Sequence, residues 1–158
     1  MTALTSYGPA VRPGRAYDAI SRGLVVDDSR AQRRLISASL QRQGFLVVDA
    51  ATGDEALEIA RSEPPDLVLS DWMMPGMDGL ELCRKIRALQ QGRYIYFILL
   101  TSKSEKEAVA QGLDVGADDF LTKPVNSGEL LARINAGDRI LQMERELSEK
   151  NRLVTSTL

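Results

Sequence analysis

Two acidic residues follow a short apolar run in the segment Leu24-Val25-Val26-Asp27-Asp28-Ser29. Three consecutive apolar residues are typical of a strand that is buried on both faces. Ser29 or Asp28 can cap a helix that Gly44 ends. Because parallel sheets are covered by helices on both faces, this junction of strand and helix indicates an α/β fold with the two acids at the end of the first strand.

Four further apolar runs alternate with helical segments along the chain. They are Phe45-Leu46-Val47-Val48, Leu67-Val68-Leu69, Tyr94 to Leu100 and Phe120-Leu121. Thr52, Ser104 and Asn126 each precede a glutamate by three residues, which is the spacing of a capping box, and Asp78 can cap the third helix. The pattern predicts a doubly wound α/β domain with a five-stranded parallel sheet and right-handed crossovers.

The ends of the chain differ from this pattern. Residues 1–20 contain two Pro and two Gly without hydrophobic periodicity, so we expect a flexible N-terminal lead-in there. No Pro follows Pro124, so the last helix can run from Ser127 to about Val154, a length of roughly 42 Å. We therefore predict the domain over 21–140 and an extension of the last helix, serving as a linker or a coiled-coil-like tail, over 141–158.

The composition excludes several classes of function. Twenty Lys and Arg balance 22 Asp and Glu, and this net charge of −2 offers no basic excess for direct binding to nucleic acid. The chain has no histidine, which excludes Ser-His-Asp triads, HExxH zinc helices and a phosphohistidine on this chain. Cys83 is the single cysteine and permits no internal disulfide. Neither a signal peptide nor an apolar run long enough for a membrane is evident, so we expect a cytoplasmic protein.

Polar residues follow four of the predicted strands: Asp27-Asp28, Asp71, Thr101-Ser102 and Lys123-Pro124. In an open parallel sheet the carboxyl ends of the strands meet at one edge, where ligands bind. Three carboxylates at that edge repel one another unless a cation relieves the repulsion. Oxygen ligands and few protein donors favour Mg²⁺, and the lysine supplies a second positive charge.

These motifs together resemble the receiver domain of bacterial two-component response regulators. The resemblance is carried by Val25-Val26-Asp27-Asp28-Ser29, Asp71-Trp72-Met73-Met74-Pro75-Gly76-Met77-Asp78-Gly79, Leu100-Thr101-Ser102 and Lys123-Pro124. Asp71 and Thr101 lie 30 residues apart, and Thr101 and Lys123 lie 22 apart, as in that family. The resemblance covers about residues 22–140 and implies a flavodoxin-like sheet in the order 2-1-3-4-5 with five helices, the last of them extended.

The resemblance also implies a role for each acid. Asp71 would accept a phosphoryl group from a phosphohistidine on a sensor histidine kinase or phosphotransfer protein. Asp28, Asp71 and the backbone carbonyl of Met73 would bind Mg²⁺ directly, and Asp27 would do so through water. No other cofactor is expected.

The remaining members of the pattern would read the phosphorylated state. By the same resemblance, Lys123 would contact the phosphoryl group, Thr101 would hydrogen-bond to it, and Phe120 would be an aromatic switch. The switch would alter the surface formed by the fourth helix, fifth strand and fifth helix, and so control an output domain or partner. The chain itself would be a signalling phosphoacceptor and not an enzyme.

Two other functions fit parts of the pattern. A phosphatase of the haloacid-dehalogenase type also uses an aspartate nucleophile with magnesium, but it normally has a second aspartate two residues on, where this chain has Met73. A flavodoxin-like cofactor binder would cradle phosphate after the first strand, where Asp27-Asp28 would repel it. Each motif taken singly is also a plain capping or turn signal, and only their conjunction favours the receiver.

The C-terminal extension leaves two alternatives open. It resembles the signalling helix that joins receivers to an output domain such as a GGDEF diguanylate cyclase, so the sequence is either part of a longer regulator or a stand-alone receiver. Ile140, Leu147 and Val154 recur every seven residues, and Met143 follows Ile140 by three. This spacing predicts a homodimer that forms through the last helix.

Overall fold

Strands and helices alternate throughout the part of the chain that the computed structural model describes, residues 21–89, 93–102 and 106–157. The strands are β1 (Arg22–Val26), β2 (Leu46–Ala50), β3 (Leu67–Asp71), β4 (Tyr96–Thr101) and β5 (Asp119–Thr122). The helices are α1 (Arg30–Arg42), α2 (Gly53–Ser62), α3 (Gly79–Ala88), α4 (Lys106–Asp114) and α5 (Ser127–Thr157). The predicted flexible lead-in, 1–20, lies outside the described residues.

The five strands form one parallel sheet in the order β2-β1-β3-β4-β5, which confirms the predicted doubly wound topology. The register aligns the carboxyl ends of neighbouring strands, since Val26 of β1 pairs with both Ala50 and Ser70. Asp71 of β3 pairs with Leu100 of β4. The order of the strands reverses between β1 and β3, and a crevice opens at such a switch point in doubly wound folds.

Apolar side chains fill both faces of the sheet. Leu24 and Val26 face a core that α2 and α3 cover, whereas Val25 faces a second core that α1 and α5 cover. This alternation explains why the strands are continuous apolar runs in the sequence: each residue is buried on one side or the other.

Side-chain caps begin the helices at positions that the sequence indicates. The hydroxyl of Ser29 accepts from the Gln32 amide, so Ser29 and not Asp28 caps α1. Thr52, Asp78 and Asn126 accept in the same way from the amides of Glu55, Glu81 and Glu129. Gly44, at a φ of 89°, follows the end of α1. The predicted cap Ser104 lies outside the described residues.

The apolar run predicts that the fourth strand starts at Tyr94. In the structure β4 starts two residues later, at Tyr96. The hydroxyl of Tyr94 donates to Asp118, and its ring lies under the Arg87 guanidinium, with 5.5 Å between ring centroid and guanidinium carbon. These contacts hold Tyr94 in the connection before the strand.

Helix α5 has 31 residues, which corresponds to roughly 46 Å at 1.5 Å per residue. It starts at Ser127 as predicted and continues to Thr157. Leu130, Ile134 and Leu141 are buried in the core under this helix. The predicted domain boundary at 140 stays a prediction. Within the described residues, no helix combines the length and the apolar character that crossing a bilayer requires.

Candidate functional site

Three carboxylates lie together at the carboxyl edge of the sheet. One oxygen from each of Asp27, Asp28 and Asp71 lies within 4.8 Å of the other two. Asp27 and Asp28 directly follow β1 and Asp71 is the last residue of β3, so the pairing of these two strands brings the acids together. Asp27 is 0% and Asp71 5% exposed, whereas Asp28 reaches solvent. The site therefore has a buried floor and one open side.

Lys123 supplies a positive charge to this cluster. Its Nζ atom lies 3.0 Å from Oδ2 of Asp71 and 3.5 Å from Oδ2 of Asp27. The residue directly follows β5, and its amide donates to the Thr101 carbonyl at 2.7 Å. The peptide bond between Lys123 and Pro124 is cis. A lysine from beyond β4 thus reaches across the strand ends to the central acid.

Asp71 has an altered acidity. Burial raises the pKa of its carboxyl above the ordinary value, and the hydrogen bond from Lys123 acts in the opposite direction. The charges of Asp27 and Asp28 raise the pKa further. Desolvation and crowding of like charges both disfavour the ionised carboxylate, so a cation that binds here would stabilise it.

The donor set fits a hard dication. Oδ1 of Asp27 accepts from the Ser29 amide at 2.8 Å, but Oδ2 is buried and has no hydrogen-bond partner among the described residues. Its approach to Lys123 at 3.5 Å is an ion pair and not a hydrogen bond. A buried carboxylate oxygen without a hydrogen bond is costly unless it meets a cation or water. Three carboxylates offer a metal ion oxygen ligands alone, and such a ligand set suits Mg²⁺.

Thr101 and Phe120 lie on the side of the site that β4 and β5 form. Thr101 is the buried last residue of β4 and pairs with Thr122. Phe120 pairs with Leu99, so its side chain shares the sheet face of Leu99 and Thr101. The structure therefore places Thr101 at the edge that holds the acids and Phe120 further down the same face.

The ring of Phe120 lies on a glycine of α4. A Cβ atom added to Gly112 would be 2.4 Å from both Cε1 and Cζ of Phe120. Any other residue at this position would collide with the ring, so Gly112 provides the space that the half-buried ring occupies.

The loop from β3 to α3 depends on a second close approach. The Gly79 amide donates to the Trp72 carbonyl at 2.8 Å, and a Cβ at Gly79 would lie 2.4 Å from the carbonyl oxygen of Asp71. Glycine therefore lets α3 begin directly against the backbone of Asp71. In the same loop Met73 has a side chain that is 56% exposed, while Met74 is buried.

The sequence that forms this site also matches a known family. The model of the response regulator receiver domain matches residues 24–135. The chain belongs to this receiver family. Among curated relatives, the transcriptional regulatory protein AfsQ1 of Streptomyces coelicolor is 43% identical over 113 residues, which are 72% of this chain and 49% of that protein. The response regulator PleD of Caulobacter vibrioides is 40% identical over 130 residues, 82% of this chain and 29% of that protein.

Solved structures agree with the receiver assignment. The chemotaxis protein CheY4 of Vibrio cholerae superposes with a TM-score of 0.71 at 36% identity, covering 75% of this chain and 98% of CheY4. A two-component response regulator with a GGDEF domain gives a TM-score of 0.71 at 33% identity, covering 77% of this chain and 50% of that one. The chain spans about half the length, or less, of the curated relatives it matches.

Sequence reasoning missed one residue that supports the acids of this receiver. Arg33 of α1 donates from NH1 to the Asp27 carbonyl at 2.8 Å, and its Nε atom lies 3.4 Å from Oδ2 of Asp49. This guanidinium therefore ties the turn after β1 to the end of β2. Its position one turn into α1 was the available signal, because a side chain there can reach back to the helix start.

Proposed function

We propose that this receiver accepts a phosphoryl group on Asp71 from a phosphohistidine of a sensor histidine kinase or phosphotransfer protein. The observation that carries the proposal is the position of Asp71, whose carboxylate lies 3.0 Å from Nζ of Lys123 and within 4.8 Å of oxygens of Asp27 and Asp28. A carboxylate that is held by a cation and faces an open side can meet an incoming phosphoryl group.

The transfer needs little covalent chemistry from the chain. One carboxylate oxygen of Asp71 forms a bond to phosphorus as the phosphorus–nitrogen bond of the phosphohistidine breaks. The electron pair of the broken bond stays on the imidazole nitrogen, which takes up a proton. Lys123, 3.0 Å from Asp71, offsets the negative charge of the phosphoryl oxygens, and electrostatic stabilisation of this kind dominates phosphoryl transfer.

The acids would hold Mg²⁺ beside Asp71. Asp28, Asp71 and the backbone carbonyl of Met73 would bind it directly, and Asp27 would do so through water. When bound, Mg²⁺ supplies positive charge for the phosphoryl oxygens. The buried Oδ2 atom of Asp27 and the exposed carboxylate of Asp28 support this division, because the exposed group has the freer access to an ion.

Thr101 and Phe120 would carry the phosphorylated state to the surface of α4, β5 and α5. A phosphoryl group adds charge of about −1.5 to −2 and new acceptor oxygens, which the Thr101 hydroxyl at the same edge could meet. On this surface Leu113 of α4 and Leu131 of α5 are exposed, and Arg133 lies 3.5 Å from Asp119. Exposed apolar groups beside an ion pair are suited to bind a partner.

We assign the enzymatic output, if the regulator has one, to another domain or partner and not to this receiver. The similarity to PleD and to a GGDEF domain protein makes a GGDEF diguanylate cyclase one candidate. No observation favours the haloacid-dehalogenase alternative, because Met73 occupies the position of its second acid.

Intact-mass measurement after incubation with acetyl phosphate and MgCl₂ tests the proposal. We expect one added phosphoryl group, lost in EDTA and in Asp71→Asn, and retained in the matched control Asp54→Asn on the exposed face of α2. Asp28→Asn should require more Mg²⁺ for the same labelling. Undiminished addition to Asp71→Asn would refute the acceptor assignment, and undiminished addition in EDTA would refute the metal requirement.

A further inference from the structure

Helix α5 presents two opposite faces beyond residue 129. Leu130, Ile134 and Leu141 are buried against the sheet. At 100° per residue, Ile140, Met143 and Leu147 lie on the other side of the helix, and they are 38%, 64% and 55% exposed. We call these three residues the outer stripe. An apolar stripe on the solvent side of a long helix indicates a partner.

Contacts on the inner face hold α5 to the domain at the same level along the helix as the outer stripe. Leu141 is buried, and the guanidinium of Arg145 lies 2.8 Å from the buried carboxylate of Asp66. Both contacts are on the inner face, so they direct Ile140 and Met143 away from the receiver. The stripe is therefore presented in a fixed orientation before any partner binds.

We propose that the outer stripe binds the same stripe of a second copy of this chain, as a parallel and in-register coiled coil. Ile140 and Leu147 take the a positions and Met143 a d position, and Val154 continues the spacing in the sequence. The proposal goes beyond phosphoryl acceptance at Asp71 and does not depend on it.

Charge complementarity selects the second copy and the parallel direction. In a parallel coiled coil, a g residue faces the e residue five positions further along the partner helix, and such pairs set partner and orientation. Here these residues are Arg139 and Glu144, both exposed, and neither makes an ion pair among the residues that the structure describes. Two equivalent Arg139–Glu144 pairs would therefore form across the twofold axis.

The antiparallel arrangement has the opposite electrostatics. If Met143 of one helix faced Leu147 of the other, e would meet e and g would meet g. Glu144 would then face Glu144, and Glu146 would face Glu146. Like charges at these positions disfavour the arrangement. With only two heptads and Lys150 at the next d position, we expect the parallel pair to form at high micromolar concentration.

Sedimentation equilibrium of the full chain over a concentration series tests the stripe. We expect a monomer–dimer equilibrium that Leu147→Glu abolishes. The matched control Leu35→Glu, which replaces an exposed leucine of α1, should leave the equilibrium unchanged. Circular dichroism of each variant checks that it is folded. A monomer at high micromolar concentration, or a dimer that survives Leu147→Glu, would overturn the proposal.

A charge exchange tests the register. Arg139→Glu alone and Glu144→Arg alone should each weaken the dimer, because like charges then face each other. An equimolar mixture of the two variants should form a heterodimer more tightly than either forms a homodimer. Equal affinities in all three samples would exclude the Arg139–Glu144 pair.

Disulfide trapping tests the direction. Met143→Cys places thiols at facing d positions, so oxidation should cross-link two chains if the helices are parallel and in register. The control Ser148→Cys is exposed but lies off the stripe and should not cross-link efficiently. Equal cross-linking of the two variants would contradict a specific parallel dimer. Phosphorylation enters none of these measurements, so their failure would leave the proposed function of Asp71 intact.

Discussion

The carboxylate of Asp66 anchors α5 to the amino end of β3, because the Arg145 guanidinium lies 2.8 Å from its Oδ1 atom. Asp66 is 1% exposed, and its other oxygen accepts from the Arg22 amide at 2.7 Å. Neither terminal guanidinium nitrogen of Arg145, NH1 or NH2, makes a hydrogen bond among the described residues, so the contact is an ion pair. Arg93 also pairs with Oδ1, at 2.6 Å.

Replacing Arg145 should destabilise the domain. We expect Arg145→Met to lower the free energy of unfolding by about 1–3 kcal/mol, because a buried carboxylate loses one of its cations but keeps Arg93 and a backbone donor. Urea unfolding of dilute protein measures the effect. The control Arg84→Met removes an exposed arginine of α3 and should change stability by less than about 0.5 kcal/mol. Equal effects of the two substitutions would contradict an anchoring role.

Gly112 and Phe120 should be energetically coupled. In a Phe120→Ala background, Gly112→Ala should stabilise the protein by up to about 1 kcal/mol, since alanine favours a helix more than glycine does. In the parent that gain should vanish or reverse, because the new methyl group would lie 2.4 Å from ring atoms of Phe120. A double-mutant cycle by urea unfolding measures the difference. Additive effects would show that the ring does not need the glycine.

Gly79 should tolerate no side chain. Its added Cβ would meet the Asp71 carbonyl oxygen at 2.4 Å and a methyl group of Leu99 at 2.8 Å, and the backbone atom cannot move away cheaply. We expect Gly79→Ala to cost about 1–3 kcal/mol of stability. Gly128→Ala, where the nearest atom is a side-chain oxygen of Asn126 at 3.2 Å, is the control. A Gly79→Ala variant as stable as the parent would show that the loop can relax.

The buried thiol of Cys83 should make the free energy of unfolding decrease at alkaline pH. Burial raises the pKa of its thiol from 9.0 to about 11. Below pH 9 both the folded and unfolded chains keep the proton, whereas between pH 9 and 11 the unfolded chain releases it more readily. Stability should therefore fall as the pH rises through this window.

The measurement is the urea midpoint of the parent and of Cys83→Ala from pH 8 to pH 10.5. At pH 8 the alanine variant should be less stable than the parent because of the cavity, but it should lose less stability than the parent as the pH rises. Parallel pH profiles would contradict the raised pKa of the thiol.

The sheet and the strand-end acids were predictable because their signals are local. Apolar runs such as Leu67-Val68-Leu69 appear in the sequence as strands, and the topology of parallel sheets then places Asp71 beside Asp27. The limits of β4 were less predictable. Tyr94 extends an apolar run, and its exclusion from the strand depends on the distant partner Asp118.

Contacts between distant segments could not be predicted. Nothing in the sequence around Asp66 indicates that Arg145 would be its partner, because that contact exists only after α5 has packed on the sheet. The same holds for Gly112, whose fit to Phe120 is a matter of volume and not of pattern. The choice between Ser29 and Asp28 as the cap of α1 also needed the fold, which places Asp28 with the other acids.

Strand β3 connects the acid cluster to the anchor of α5 as one rigid element. It ends at Asp71 and begins directly after Asp66, so the proposed phosphoacceptor and the residue that anchors α5 are five positions apart, or roughly 17 Å of extended chain. All five residues are buried, and β1 and β4 hold the strand on both sides. Such a strand cannot bend locally, so we expect a displacement at one end to arrive at the other as a shift of the whole strand.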